Sequence, residues 1–213
     1  MWDLDGCLLD SRPGIKAAMC RTFEKFGVAY EESELDSTIG VSWAELFPAK
    51  FKMPANIVDE AVSFCRATYM DGGGMRNTKK FRGMVSLLAD IRRKQIPQCV
   101  VTAKPQKQAH IILKTHNLVE YFEEIHGAEL TKGQTKAEMI RDILLGQAVE
   151  NPRDAVMVDD RASGILAAKE AGVVSVGIMH GYAEDGELEA ARPDHLAKDA
   201  TDLRDIILNG NHL

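Results

Sequence analysis

Two acidic pairs, one threonine and one lysine stand out from the chain by type and by placement. Asp3 and Asp5 open the run Asp3-Leu4-Asp5-Gly6-Cys7-Leu8-Leu9-Asp10-Ser11. Thr102 follows the apolar stretch Gln98-Cys99-Val100-Val101 and leads into Ala103-Lys104-Pro105. Asp159 and Asp160 follow Ala155-Val156-Met157-Val158, and Lys136 sits at a helix start in Lys132-Gly133-Gln134-Thr135-Lys136-Ala137. Carboxylates from separate strand ends are hard oxygen ligands suited to Mg²⁺, which keeps some waters and shares its remaining positions with a phosphate. A metal also explains how like charges can crowd together.

Taken singly, each feature has a plainer reading. Asp-x-Asp-Gly suits a turn or a calcium loop, and a threonine at a strand end can serve its own backbone. A lysine at a helix start is ordinarily a solvated charge. An Asp pair after a strand can cap the next helix. The chemical reading therefore rests on all four together and on the elements that hold them.

Those elements follow from periodicity. Apolar residues fall at helical spacing over 13–26 (Ile15, Ala18, Met19, Phe23, Phe26), 43–47 and 55–70, until Gly72-Gly73-Gly74 interrupts the pattern. Residues 12–80 thus read as helices without a strand. Beyond them the texture alternates: helix over 85–94, strand over 98–101, helix over 105–116, strand over 155–158, helix over 162–171, strand over 173–178. Such alternation predicts a parallel sheet with helices on both faces, with ligands beyond the carboxyl ends of the strands. The acidic pairs and Thr102 stand at those ends.

Composition narrows the class. The chain has 213 residues, 45% hydrophobic and 27% charged, enough for one domain with an insertion. A net charge of −6 and a pI near 5.6 give no support to a nucleic-acid surface, so small metabolites and protein partners remain. Cys7, Cys20, Cys65 and Cys99 form no metal-binding or disulfide pattern and read as small buried hydrophobes, which places the chain in a reducing, cytoplasmic setting. Asp3 and Asp5 occupy the place of a secretory leader's basic start, and no apolar run reaches membrane-spanning length. His110, His116, His126, His180 and His195 show no common spacing and read as structural or surface residues.

The residues together resemble the haloacid dehalogenase-like (HAD) hydrolases. Asp3-Leu4-Asp5-Gly6 is similar to the first motif of that superfamily, and Thr102, Lys136 and Asp159-Asp160 match the second, third and fourth in order. Val101-Thr102-Ala103-Lys104-Pro105, Ala168-Lys169-Glu170-Ala171-Gly172 and Gly177-Ile178-Met179-His180-Gly181-Tyr182 resemble its phosphoglycolate-phosphatase-like branch. The resemblance implies an α/β, Rossmann-like three-layer core over residues 1–11 and 81–213. A small all-helical cap, residues 12–80, would be inserted after the first strand. It implies a Mg²⁺-dependent phosphatase acting on a small phosphorylated metabolite, as a monomer or homodimer. Asp3 would be the nucleophile and Asp5 the acid/base; Thr102, Ala103 and Lys136 would bind the phosphoryl group, with Lys136 also orienting Asp3. Asp3, the Asp5 carbonyl and Asp160 would hold the metal. The fourth motif departs from the usual Gly-Asp-x-x-x-Asp: Asp159 stands at its glycine and Gly164 at its second aspartate, so Asp159 is expected to replace the missing carboxylate. Ile39-Gly40-Val41-Ser42-Trp43 matches a cap loop that selects substrate. A phosphomutase of this fold and a non-catalytic relative are the alternatives; Asp5 argues against a dehalogenase, and the helical insertion against a response-regulator receiver.

Overall fold

The computed structural model describes residues 1–38, 43–128 and 133–209. The chain divides into two compact units, Met1–Asp10 with Lys80–Leu213 and Ser11–Lys79. The two-residue strands β1 (Leu9–Asp10) and β2 (Lys79–Lys80) mark the places where it passes from one to the other. The periodicity missed β2, because two consecutive lysines carry no apolar signal.

The larger unit is an α/β fold whose sheet is assembled around its first three residues. Trp2 forms parallel bridges to Val100 on one side and Val158 on the other. The ladder runs Trp2 N–H to Cys99 O (2.9 Å), Val101 N–H to Trp2 O (2.9 Å), Asp3 N–H to Val158 O (2.9 Å) and Val158 N–H to Met1 O (3.0 Å). So few residues make a strand because the central position is paired on both edges and the Trp2 side chain is buried, its indole N–H donating to Gln98 Oε1 at 3.2 Å. Outward on one side lie β3 (Cys99–Pro105) and β4 (Glu124–Ala128); on the other lie β5 (Val156–Asp159), β6 (Val174–Ile178) and β7 (His195–Ala197), all parallel.

Val101 and Met157 point into a cluster with Ala137, Met139, Ile140 and Ile143 of α6 (Lys136–Gly146) and Ala167, Ala168 and Ala171 of α7 (Ala162–Ala171). Their neighbours Val100 and Val158 are buried as well. Because successive strand residues face opposite ways, both faces of the sheet are covered, which makes three layers. Helices α4 (Met84–Arg93) and α9 (Ala200–Leu208) pack on each other, and α5 (Gln106–Thr115) lies along β3 and β4. A short α8 (Glu187–Ala191) packs on α7.

The smaller unit holds α1 (Arg12–Phe26), α2 (Trp43–Phe51) and α3 (Ala55–Asp71), with 3₁₀ turns at Glu32–Thr38 and Gly74–Arg76. Helix α1 ends at Gly27 in the left-handed conformation (φ 66°), a regular glycine stop. Phe23 is its centre, with ring centroids 5.2 Å from Phe47 and 4.6 Å from Phe51. Of the expected cap loop, residues 39–42 lie outside the described residues. Trp43 opens α2 and stacks on Phe47 at 6.4 Å. Cys7, Cys65 and Cys99 are buried free thiols and Cys20 is half-buried.

Candidate active site

Asp3 is the last residue of the central ladder, and the chain turns at once. Gly6 adopts φ 91°, a region closed to most side chains, and a Cβ on it would run into the carboxylate of Asp160. The turn is closed by Gly6 N–H to Leu9 O (2.8 Å) and by Leu8 and Leu9 N–H to Leu4 O (3.0 Å each). Asp3 is thereby left buried at the carboxyl edge of the sheet.

Lys136 is the first residue of α6. Thr135 caps that helix in a reciprocal box: its hydroxyl accepts from Glu138 N–H at 3.2 Å and Glu138 Oε2 accepts from Thr135 N–H at 2.7 Å. The helix start is thus fixed, and Lys136 Nζ donates to Asp3 Oδ1 at 2.8 Å and to Asp159 Oδ2 at 2.6 Å. Burial alone would lower the lysine's pKa, but the charges of Asp159 and Asp3 outweigh it and hold it above the ordinary value.

Asp159 and Asp160 end β5 and follow it. Asp159 Oδ1 accepts from Arg161 N–H at 2.9 Å, and Asp160 Oδ2 accepts from Tyr182 N–H at 2.7 Å. Carboxylate oxygens of Asp3, Asp159 and Asp160 lie within 4.8 Å of one another. Burial, with Asp3 and Asp159 adding repulsion, pushes Asp160 up to about 8. Burial pushes Asp3 up to about 7, Lys136 opposing and Asp159 reinforcing. Among the described residues, Oδ1 of Asp160 is buried and accepts no hydrogen bond. An unsatisfied buried carboxylate oxygen is costly. Three convergent carboxylates facing one ammonium fit a hard divalent cation, which would satisfy that oxygen and draw the raised pKa values of Asp3 and Asp160 down.

Thr102 is buried, with its hydroxyl accepting from Lys104 N–H at 3.2 Å. It does not end its strand, as the apolar run implied. β3 continues to Pro105, with its register broken between Thr102 and Pro105, and Ala103 is exposed at the break. The extra backbone pairing is invisible to a hydropathy pattern. Asp5 is brought to Lys104, whose Nζ lies 2.6 Å from Asp5 Oδ2. Sequence reasoning did not assign Lys104 a site role; its position two residues past the strand threonine was the available signal. Nor did it find the support of Asp160 by Tyr182. Gly181 beside it was a clue, since a Cβ there would strike Asp160.

The fold and this constellation define a haloacid dehalogenase-like hydrolase, and the chain belongs to that family: its family model matches residues 1–178. The chain is 29% identical to a 5'-nucleotidase of Pseudomonas aeruginosa over 97% of its own length and 94% of that protein's. It is 24% identical to a phosphoglycolate phosphatase of Vibrio parahaemolyticus, again over 97% and 94%. A solved haloacid dehalogenase-like family hydrolase from Streptococcus pneumoniae superposes with a TM-score of 0.86 at 25% identity, covering 95% of this chain and 94% of that one. The chain is a phosphatase of this superfamily, and its relatives include phosphoglycolate phosphatases and related enzymes. No helix among the described residues is long and apolar enough to cross a membrane.

Proposed function

We propose that the protein is a Mg²⁺-dependent phosphomonoester hydrolase that works through an aspartyl phosphate on Asp3. The observation that carries this reading is the bridge of Lys136 between Asp3 and Asp159, beside an Asp160 oxygen that no hydrogen bond satisfies. Asp3, the backbone carbonyl of Asp5, Asp160 and Asp159 would hold Mg²⁺. The ion's contribution, when bound, is to neutralise charge between nucleophile and phosphate.

The protein's own groups supply the rest. One Asp3 carboxylate oxygen attacks phosphorus as the ester P–O bond breaks, and Asp5 protonates the leaving alkoxide. Asp5 then takes a proton from a water that attacks phosphorus, and the P–O bond to Asp3 breaks to release phosphate. The Thr102 hydroxyl and the Ala103 backbone bind the phosphoryl oxygens. Lys136 holds Asp3 in place and offsets the developing charge. Lys104 fixes the Asp5 carboxylate between its two uses. The helical unit, inserted one residue after Asp10, acts as the cap that selects the substrate. That substrate is a small phosphorylated metabolite, for which 5'-nucleotides and phosphoglycolate are the first candidates by kinship.

The test is phosphate release from p-nitrophenyl phosphate with and without Mg²⁺, followed by a panel of nucleotides, phosphoglycolate and sugar phosphates. Mg²⁺-dependent release is expected, with one class on the panel preferred. Isomerised sugar phosphate without release would identify a phosphomutase instead, and no turnover at all would identify a non-catalytic relative.

A further inference from the structure

Residues 179–182, which follow β6, form a strap against Asp160. Met179 N–H donates to Ala197 O of β7 at 2.9 Å and fixes the base of the strap. No left-handed backbone calls for glycine at position 181, yet a Cβ there would run into Cβ and the carboxylate of Asp160. Close approach is what that position requires. The next residue uses it: Tyr182 N–H donates to Asp160 Oδ2 at 2.7 Å.

The far side of the strap is held at two points. The Tyr182 hydroxyl donates to Asp10 Oδ1 at 3.1 Å, and the tyrosine is buried. His180 Nε2 lies 2.9 Å from Cys7 O, and because a carbonyl only accepts, that nitrogen carries the proton. The His180 ring also stacks on Phe81, with centroids 4.0 Å apart and planes inclined by 19°. Phe81 N–H in turn donates to Leu8 O at 3.2 Å. Asp10 is the last residue of the larger unit before the chain leaves it, and Phe81 is the second after it returns. One tyrosine thus reaches from the point of departure to a candidate metal ligand.

We propose that Tyr182 is a positioning residue for Asp160: its main-chain N–H aims the carboxylate, and its hydroxyl, through Asp10, keeps that N–H in place. The reason is electrostatic. Asp160 is buried beside Asp3 and Asp159, so without an ion its carboxylate is repelled by both. A loose carboxylate would turn away from that repulsion, and an arriving cation would have to draw it back. A carboxylate held in advance leaves more of the binding free energy as affinity. This rests on the reading of Asp160 as a Mg²⁺ ligand, but the anchoring of the strap can be measured without metal.

The experiment uses Tyr182→Phe, which removes only the hydroxyl, in the wild-type and Asp10→Ala backgrounds, a double-mutant cycle. Amide hydrogen exchange on metal-free protein tests the anchor. The Tyr182 amide is expected to lose about tenfold of its protection in Tyr182→Phe, and nothing further where Asp10 is already alanine. Equal protection in wild type and Tyr182→Phe overturns the proposal, as does an equal loss in both backgrounds. Calorimetric Mg²⁺ affinity of the substrate-free protein tests the positioning. Tyr182→Phe is expected to weaken it about three- to tenfold, the scale of one hydrogen bond, with the His180 anchor limiting the loss. Asp10→Asn, which keeps the accepting Oδ1, should retain most of the affinity that Asp10→Ala loses. A lower melting temperature with unchanged Mg²⁺ affinity in Tyr182→Phe would make the tyrosine merely structural and overturns the proposal. Asp160→Asn is run in parallel: undiminished Mg²⁺ affinity there would remove the metal reading of Asp160, while the exchange measurement would still decide the anchor.

Discussion

At the residue scale the site is a charge problem. Asp3, Asp159 and Asp160 share a small buried volume with the ammonium of Lys136, and burial raises Asp3 to about 7 and Asp160 to about 8. A buried acid whose pKa is raised on folding binds more protons folded than unfolded, so stability falls with rising pH until the folded pKa is passed. Metal-free protein is therefore expected to lose melting temperature from about pH 4 to about pH 8 through these two groups. Saturating Mg²⁺ should flatten that fall and should raise the melting temperature most at the alkaline end, where the carboxylates are ionised. Scanning calorimetry across this range, with and without Mg²⁺, checks it; an identical slope in both conditions would place the metal elsewhere. Asp160→Asn should abolish the Mg²⁺ response, because it converts an ionic ligand into a neutral amide.

At the element scale, the helix start that presents Lys136 is held by the Thr135–Glu138 capping box. Thr135→Ala removes the hydroxyl that accepts from Glu138 N–H, a loss of about 1 kcal/mol. For a chain of this size that corresponds to roughly 2–4 °C in melting temperature. Turnover should fall by more than this stability loss explains, since Lys136 is the next residue; a purely thermal effect with unchanged kcat would separate the cap from the site. The central ladder is a second weak point. Trp2→Phe keeps an aromatic ring, though a smaller one, and leaves Gln98 Oε1 buried without its indole donor, a loss of about 1–3 kcal/mol. Chemical denaturation measures it, and a change below about 0.5 kcal/mol would mean that water replaces the indole N–H.

At the scale of the whole molecule, what could be read from the sequence was what is local. Helices α1, α3 and α7 and strands β5 and β6 carry their periodicity in consecutive residues, and Asp159 and Asp160 stand at the end of β5, as a parallel sheet requires, whereas Asp3 and Lys136 were legible by motif alone. The misses are long-range or faint. Lys104 meets Asp5 across 99 residues, and no local pattern encodes that contact. β4, Glu124-Ile125-His126-Gly127-Ala128, mixes polar residues and a glycine with its apolar ones, and β7 has three residues. Gly164 could be seen as a departure from the family motif, but that its empty volume holds Asp159 needed coordinates.

The central claim is that Asp3 becomes covalently phosphorylated during turnover. The direct measurement is to incubate the enzyme with an activated aryl phosphate and Mg²⁺, quench with borohydride, and sequence the N-terminal peptide by mass spectrometry. Reductive cleavage of an acyl phosphate converts aspartate to homoserine. The Asp5→Asn variant, which lacks the base that activates water for the second step, should accumulate more of the adduct. The account predicts homoserine at position 3, more of it in Asp5→Asn, and none in Asp3→Asn. Homoserine at another aspartate, or sustained turnover in Asp3→Asn with the fold intact, would contradict it.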